Sequence, residues 1–244
     1  MKMISADAML EAAAYALVGE RCRQSYIHDI RGGLQALHSA IELLTRAART
    51  PGENERLADK AATLARRTLA NYENMLVELM SQVTPHGESD AVIEVGAVVN
   101  DVLQFVRNDA SAKSVVFRLQ AQPGVFILAP ARKFRLLLVG LCSATIDELA
   151  AGAVVDVVIA RRDMQASIEF SSAMRCPALP STDQLWRAAG AVLPLYDLLL
   201  VLTRRWACAS GGALEVSAQP GAGSVVLIRL PVSPTSLEAV PSAF

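Results

Sequence analysis

Residues 27–44, with the sequence IHDIRGGLQALHSAIELL, decide how the rest of the chain is interpreted. Their apolar side chains recur at alternating intervals of three and four residues, which is the repeat of one face of an α-helix. His28 lies at heptad position b when Ile27 is position a, so we expect its ring to face water. Asp29 follows the histidine directly, and Arg31 comes three residues after it. The apolar residues, called the apolar seam below, are Ile27, Ile30, Leu34, Leu37, Ile41 and Leu44.

Two long helices are predicted in the first third of the chain. Residues 5–48 contain no proline and are rich in strong helix formers, although Gly32 and Gly33 should each cost about 1 kcal/mol relative to alanine. A Thr-Pro-Gly sequence at residues 50–52 breaks this helix, and a second helix is predicted over residues 53–82. The predicted inward face of the second helix consists of Leu57, Ala61, Leu64, Thr68, Tyr72, Met75 and Leu79.

The two helices are expected to form an antiparallel hairpin that dimerises. One hairpin cannot cover its own apolar stripe, whereas two hairpins can do so as a four-helix bundle. We therefore predict that residues 1–85 form a dimerisation domain and that the protein is a homodimer. Proline, histidine and glycine at residues 85–87 mark the linker that follows.

The hydrophobic periodicity changes after the linker, and residues 90–232 predict a second domain. Helices and strands alternate in an order that implies an α/β sandwich of one mixed sheet with helices on one face, so the fold class of the chain is α+β. The tail, residues 233–244, contains two prolines and is expected to be disordered. Helices are predicted at residues 94–109, 132–149 and 195–209, and strands at 115–119, 125–128, 154–160, 165–170, 213–218 and 224–230.

Composition excludes several classes of function. The 23 basic and 24 acidic residues give a formal charge of −1, so the chain lacks the basic excess of a nucleic-acid or anionic-membrane surface. Its four cysteines show neither metal-ligand spacing nor a disulfide framework, which fits a reducing cytoplasm. Three acidic residues interrupt the Ala-rich N-terminus, so we expect no signal peptide, no membrane segment and a cytoplasmic location.

Two segments resemble bacterial sensor histidine kinases. Residues 28–34, HDIRGGL, resemble the H-box of their dimerisation and phosphotransfer domain, which reads His, acidic, apolar, Arg or Lys, any residue, Pro, Leu; Gly33 stands in the place of the proline. Residues 210–231, SGGALEVSAQPGAGSVVLIRLP, resemble the closing segment of their ATP-binding domain. The resemblance covers nearly the whole chain and implies a Bergerat-like second domain, with His28 as the phosphate acceptor.

The nucleotide-binding boxes of those kinases are absent from this sequence. At the N-box, both asparagine positions are bare or apolar, at Gly140 and Ala144, and leave no ligand for Mg²⁺. The carboxylate and first glycine of the Asp-x-Gly box are replaced by Ser171 and Ala173. Bulky residues at 192–196 replace the Gly-rich loop, where phosphates need close approach to the backbone. We therefore predict that the second domain is a degenerate ATPase-like domain that binds no ATP.

An H-box without an ATP site resembles the ChpT-type histidine phosphotransferases, which relay phosphoryl groups between response-regulator aspartates. On this resemblance His28 accepts the phosphoryl group, Asp29 fixes the tautomer of its ring, and Arg31 attracts phosphate oxygens. The expected partners are response-regulator receiver domains and a hybrid histidine kinase. The chain would have no cofactor of its own, because the receiver supplies Mg²⁺.

Other interpretations remain open at this point. A non-enzymatic pseudokinase adaptor is the alternative function, and an active ATP-dependent kinase is disfavoured by the three missing boxes. His28 could also be an ordinary surface histidine. His38, at heptad position e and without a neighbouring acid, is expected to be a packing or a surface residue. In kinases that act as phosphatases, Thr or Asn usually occupies the position of Gly32, so phosphatase activity should be weak. The residues expected to contact a receiver are Ser25, Arg31, Gly32, Gln35 and Ala36.

Overall fold

The computed structural model describes residues 6–49, 54–83, 89–173, 195–219 and 223–233. The chain divides into two compact units: Ala16–Gly87, called the hairpin unit, and Met1–Tyr15 with Glu88–Phe244, called the sheet unit. The predicted linker at 85–87, the loop at 192–194 and the predicted disordered tail beyond Ser233 lie outside the described residues. None of the helices in the described part of the chain combines the length and hydropathy needed to span a bilayer.

Both helices predicted for the hairpin unit are present, as α1 (Ala6–Arg49) and α2 (Asn54–Val83). Helix α1 continues through Gly32 and Gly33, because the good helix formers around them outweigh the cost of two glycines. The hydroxyl of Tyr72 in α2 donates a hydrogen bond to the carbonyl oxygen of Ile30 in α1, at 2.6 Å. These two residues lie at similar distances from the short connection between the helices, so the pair is antiparallel, as predicted.

Helix α1 packs in the hairpin unit through a line of residues beside the apolar seam. Its buried side chains in this unit are those of Val18, Tyr26, Ala40 and Ala47, with exposures of 2%, 4%, 1% and 4%; the last three and Gly33 follow a seven-residue spacing. On α2, Ala61 and Thr68 are buried, and Leu57, Leu64 and Tyr72 are half-buried, which confirms that part of the predicted inward face. The side chains of Met75 and Leu79 lie outside the described residues.

The apolar seam itself is largely exposed within one chain. The exposed fractions are 43% for Ile27, 57% for Leu34, 61% for Ile41 and 43% for Leu44, while Ile30 and Leu37 are half-buried. The neighbouring line carries small residues at positions 33, 40 and 47, and the Tyr72 ring of α2 packs at Gly33. The larger aliphatic residues of α1 therefore remain uncovered in a single hairpin. These are the residues that were predicted to pack against a second hairpin.

The sheet unit contains seven strands and four helices among its described residues after residue 88. The strands are β1 (Ala91–Glu94), β2 (Val116–Ala121), β3 (Phe126–Ala129), β4 (Val154–Arg162), β5 (Gln165–Ser172), β6 (Ala213–Gln219) and β7 (Gly223–Pro231). The helices are α3 (Val95–Phe105), α4 (Arg107–Ala112), α5 (Ala131–Glu148) and α6 (Leu195–Ala209). A mixed five-stranded sheet has the order β2-β4-β5-β7-β6, in which only the β2–β4 pair is parallel.

Two sequence predictions for the sheet unit are wrong in detail. The strand at 125–128, expected in the single mixed sheet, is β3, and it pairs instead with β1, which was not predicted, in a separate two-stranded sheet. The helix expected over 94–109 is two helices, α3 and α4, separated at Val106. Four-residue strands carry too little alternation to reveal either their existence or their partners.

The core of the sheet unit lies between the five-stranded sheet and α3, α5 and α6. Residues of α5 and α6 are buried together, and the rings of Phe134 and Trp206 stack with their centroids 5.4 Å apart. The alternating residues Val155, Val157 and Ile159 of β4 are buried, which fits a sheet covered on one face. Burial also raises the pKa of the Cys142 thiol to about 12, so this cysteine is a core residue that stays protonated and unreactive at neutral pH.

A lysine caps the C-terminal end of α5. The Lys113 ammonium donates hydrogen bonds to the carbonyl oxygens of Ile146, at 2.9 Å, and Asp147, at 2.6 Å. The last carbonyl groups of a helix have no partners within the helix and carry partial negative charge. Lys113 therefore ties the turn before β2 to the end of α5.

We predict that Lys113→Met lowers the free energy of unfolding by about 1–2 kcal/mol, because two carbonyl oxygens lose a charged donor. Denaturant unfolding followed by circular dichroism measures this change. Arg107→Met, which removes an exposed cation from α4 in the same unit, should change stability by less than about 0.5 kcal/mol. Equal effects of the two substitutions would refute the capping role.

Candidate functional site

The candidate site is the turn of α1 that contains position 28. The helix is continuous there, between buried Tyr26 and half-buried Ile30. The side chains of Ser25, His28 and Asp29 lie outside the described residues. What the structure describes is the backbone that carries them and the residues one and two turns further along.

The predicted receiver-contact residues that follow position 28 share its face of α1. Arg31, Gly32 and Gln35 are exposed, and Ala36 is half-buried. They come three, four, seven and eight residues after His28, which is the spacing of one helix face. The guanidinium of Arg31 is thus available one turn after the histidine, where a cation can neutralise the charge of a phosphoryl group.

The adjacent glycines of the H-box have opposite environments. No atom lies within 4 Å of the place that a methyl group would occupy at Gly32, so that position faces open space. A methyl group at Gly33 would lie 2.5 Å from the hydroxyl oxygen of Tyr72 and 2.7 Å from its ring carbon Cζ. The missing side chain at Gly33 therefore provides the space in which the Tyr72 ring packs on α1.

The contact of Tyr72 with the H-box segment was not predicted from the sequence. Tyr72 was expected on the inward face of α2, where it lies, but Ile30 and Gly33 were not expected as its contacts. The available signal was a glycine in place of the H-box proline, together with an aromatic residue at a similar distance from the connection between the helices. Only the register of the two helices in three dimensions makes this pair visible.

His38 differs from its predicted surroundings. Its Nε2 lies 3.4 Å from an oxygen of the Glu42 carboxylate, one turn further along α1. The expectation that His38 has no neighbouring acid is therefore wrong, because residues four apart in the sequence are neighbours on a helix. Both side chains are exposed, so His38 is a surface histidine, as expected, and it offers an internal control for His28.

The degenerate ATP-site positions lie in the core and at the end of a strand. Gly140 and Ala144 belong to a stretch of α5 in which every residue from 137 to 146 is buried. Ser171 in β5 donates a hydrogen bond to Glu169, at 3.2 Å, and Ala173 is exposed just beyond the strand. Neither Gly140 nor Ala144 has a side-chain oxygen or nitrogen, so neither side chain can ligate Mg²⁺.

Two carboxyl groups lie near each other at the end of α5 and the start of α6. The pKa of the Asp197 carboxyl, in the first turn of α6, is raised by partial burial and, to a smaller extent, by the Glu148 carboxylate. Within the described residues, no three His, Cys, Asp or Glu side chains gather in a group that could hold a metal ion.

Sequence comparison relates the chain to histidine kinases of two-component signalling. It is 23% identical over 215 residues to the sensor histidine kinase ZraS of Escherichia coli K12. The match covers 85% of this chain but only 44% of ZraS, so the chain spans less than half of that relative. No protein-family model matches the chain.

Solved structures of histidine kinases are also similar to this chain. The mycobacterial sensor histidine kinase MprB aligns with a TM-score of 0.46 and 16% identity, over 59% of this chain and 99% of that structure. Acinetobacter baumannii AdeS aligns with a TM-score of 0.47 and 16% identity, over 84% of this chain and 98% of that structure.

The two glycines of the H-box give a paired prediction. Gly32→Ala should raise the free energy of unfolding by about 0.5–1 kcal/mol, since the methyl group enters open space and helix propensity improves. Gly33→Ala should lower it by about 1–3 kcal/mol, because the methyl group displaces Tyr72 from its hydrogen bond with Ile30. Thermal and denaturant unfolding of both variants measure the difference.

The double substitution Gly33→Ala with Tyr72→Ala provides the control. Without the tyrosine ring, the alanine at position 33 should stabilise α1 relative to Tyr72→Ala alone. A destabilising effect that persists in this background would show that Gly33 is needed for a reason other than the contact with Tyr72.

Proposed function

We propose that the chain is a histidine phosphotransferase that relays phosphoryl groups between receiver aspartates of a two-component system through His28, without ATP. The main support is the face of α1 that follows the H-box histidine, where Arg31, Gly32 and Gln35 are exposed for a partner. The similarity to a sensor histidine kinase supports the class of signalling system. Gly140 and Ala144, which offer no ligand for Mg²⁺, favour a relay over an ATP-dependent kinase.

The proposed reaction is a reversible phosphoryl exchange. A lone pair on a neutral ring nitrogen of His28 attacks the phosphorus of a receiver's aspartyl phosphate. The P–N bond forms as the P–O bond to the aspartate breaks, and the electron pair of that bond leaves with the carboxylate. The carboxylate of a second receiver then attacks the phosphohistidine and restores the imidazole.

The H-box residues would assist this exchange through charge and orientation. The transition state of phosphoryl transfer is loose, so catalysis depends mainly on positioning and neutralisation of charge. Asp29 would accept a hydrogen bond from the second ring nitrogen of His28 and fix its tautomer. Arg31 would attract the phosphate oxygens from one turn away. Mg²⁺ bound by the receiver would neutralise further phosphate charge.

We also propose that the apolar seam is covered by a second copy of this chain. The exposed aliphatic residues of α1 follow heptad spacing, and Leu69 on α2 adds a further exposed residue, at 52%. A four-helix bundle of two hairpins would remove these side chains from water. The arrangement would leave Arg31 and Gln35, which lie off the seam, accessible to a receiver.

A pseudokinase adaptor is the second candidate function. The exposed face of α1 could bind a receiver domain or a histidine kinase without any transfer of phosphate. The two functions predict the same partner surface but differ in whether His28 becomes labelled. The experiment on His28 therefore separates them.

We expect receiver domains labelled at their aspartate with acetyl [³²P]phosphate to transfer the label to the wild-type chain. A panel of receiver domains from the same genome serves as donors. His28→Ala should abolish labelling, whereas His38→Ala, which changes an exposed histidine on the same helix, should retain it. Binding of a receiver without label would support the adaptor, and label on His28→Ala would contradict the assignment of the phosphoacceptor.

A nucleotide-binding experiment separately tests the proposal that the relay does not use ATP. Calorimetric titration with MgATP should give no heat of binding, and [γ-³²P]ATP alone should leave the chain unlabelled, since Gly140 and Ala144 supply no metal ligand. Saturable binding, or label at His28 from ATP, would show that the chain is a kinase.

We predict that the double variant Leu34→Glu, Ile41→Glu is a monomer, because it places charges in the seam of the proposed dimer. Sedimentation velocity at micromolar concentrations should give a dimer for the wild type. Met164→Glu, which changes a residue of the sheet unit with a similar exposure of 55%, should remain dimeric. A monomeric wild type or a dimeric seam variant would contradict the proposed interface.

A further inference from the structure

Tyr72 connects α2 to the turn of α1 that carries the histidine. Its hydroxyl donates to the carbonyl oxygen of Ile30 at 2.6 Å, and its ring packs where Gly33 has no side chain. Ile30 is two residues after His28, which is about 3 Å along a helix axis. The hydrogen bond therefore holds the backbone of α1 close to the candidate phosphoacceptor.

The geometry of this contact fixes the position of one helix relative to the other. Apolar helix contacts tolerate small shifts, because dispersion forces have little directional preference. A short hydrogen bond to a backbone carbonyl is directional, and the ring beside Gly33 limits sliding and rotation of α1 at the same level. The carbonyl of Ile30 cannot move without moving the neighbouring turn.

We propose that Tyr72 is a positioning residue for phosphoryl transfer at His28. The inference rests on the proposed relay function and deepens it. If a receiver docks across the exposed faces of both helices, the register of α1 against α2 sets the distance and direction from His28 to the receiver aspartate. In reactions that depend on positioning, a displacement of about 1 Å can lower the rate by about 100-fold.

The contact also explains why a glycine occupies the proline position of the H-box. A proline ring at position 33 would need the space that the Tyr72 ring occupies, because even a methyl group there would lie 2.5 Å from the hydroxyl oxygen. Gly33 and Tyr72 therefore work as a pair. The turn after His28 is shaped by a side chain of α2 instead of by a ring within α1.

The test uses two phosphate donors with the 244-residue chain. Tyr72→Phe keeps the ring and removes only the donor to Ile30. We expect phosphoryl transfer from a saturating labelled receiver to slow by about tenfold or more, while the receiver concentration at half-maximal rate changes less than about twofold. Phosphoramidate, a small donor that needs no docking, should phosphorylate His28 of the variant at the wild-type rate, measured by subtracting the signal of His28→Ala.

Thr68→Val is the matched control. Thr68 is buried one turn before Tyr72 on α2, and its hydroxyl donates to the Leu64 carbonyl of its own helix, at 2.9 Å. The substitution removes a hydroxyl of the hairpin unit without cutting this contact between α1 and α2. Both transfer rates should remain within about twofold of the wild type.

The outcomes separate this inference from the proposed function. A wild-type chain that accepts no label at His28 from any receiver overturns both. If the wild type is labelled and Tyr72→Phe is labelled as fast, or if the variant loses reactivity equally with both donors, the positioning role is wrong while the relay stands. Gly33→Ala, whose methyl group would clash with the Tyr72 ring, should reproduce the selective loss with the receiver.

Discussion

The hairpin unit has a defined contact between its helices, that of Tyr72 in α2 with the Ile30 carbonyl and Gly33 of α1. Gly33 lies on a line with the buried residues Tyr26, Ala40 and Ala47, which recur every seven residues. The missing side chain at Gly33 leaves room for the Tyr72 ring, whose hydroxyl donates a hydrogen bond to the Ile30 carbonyl. The larger aliphatic residues occupy the adjacent line and stay exposed. The division between the two lines decides which surface closes the hairpin and which is free to meet another molecule.

The same contact distinguishes the two glycines that interrupt the helix pattern. From sequence they appear as equivalent costs to helix propensity, each about 1 kcal/mol. In the structure Gly33 makes room for an aromatic ring, whereas Gly32 faces open space on the surface beside Arg31. Only the first is explained by packing within the chain. The second leaves backbone accessible one turn after His28, where a partner could approach the helix more closely than any side chain would allow.

The sequence was informative where a pattern extends over many residues. The bounds of α6 were predicted correctly, and those of α1 and α2 to within one residue, because three or more turns of periodicity define each helix. The strand β1 and the separate pairing of β3 were missed, since four residues carry almost no periodic signal. At the candidate site, residue types identified the H-box, but the contact of Tyr72 with Gly33 depends on helix register, which local patterns do not encode.

The changes at the degenerate nucleotide positions also follow a physical rule. Buried polar side chains require hydrogen-bond partners, and an asparagine without a metal or ligand would lose free energy in the core. The ten consecutive buried residues of α5 include two hydroxyls, and that of Thr145 donates to the carbonyl of Leu141 in its own helix. Gly140 and Ala144 add no polar group to be satisfied, so loss of ligand chemistry and full burial of α5 support each other. On the proposed relay, the sheet unit no longer supplies the phosphoryl group, and the chemistry of His28 is set by the hairpin unit and its partners.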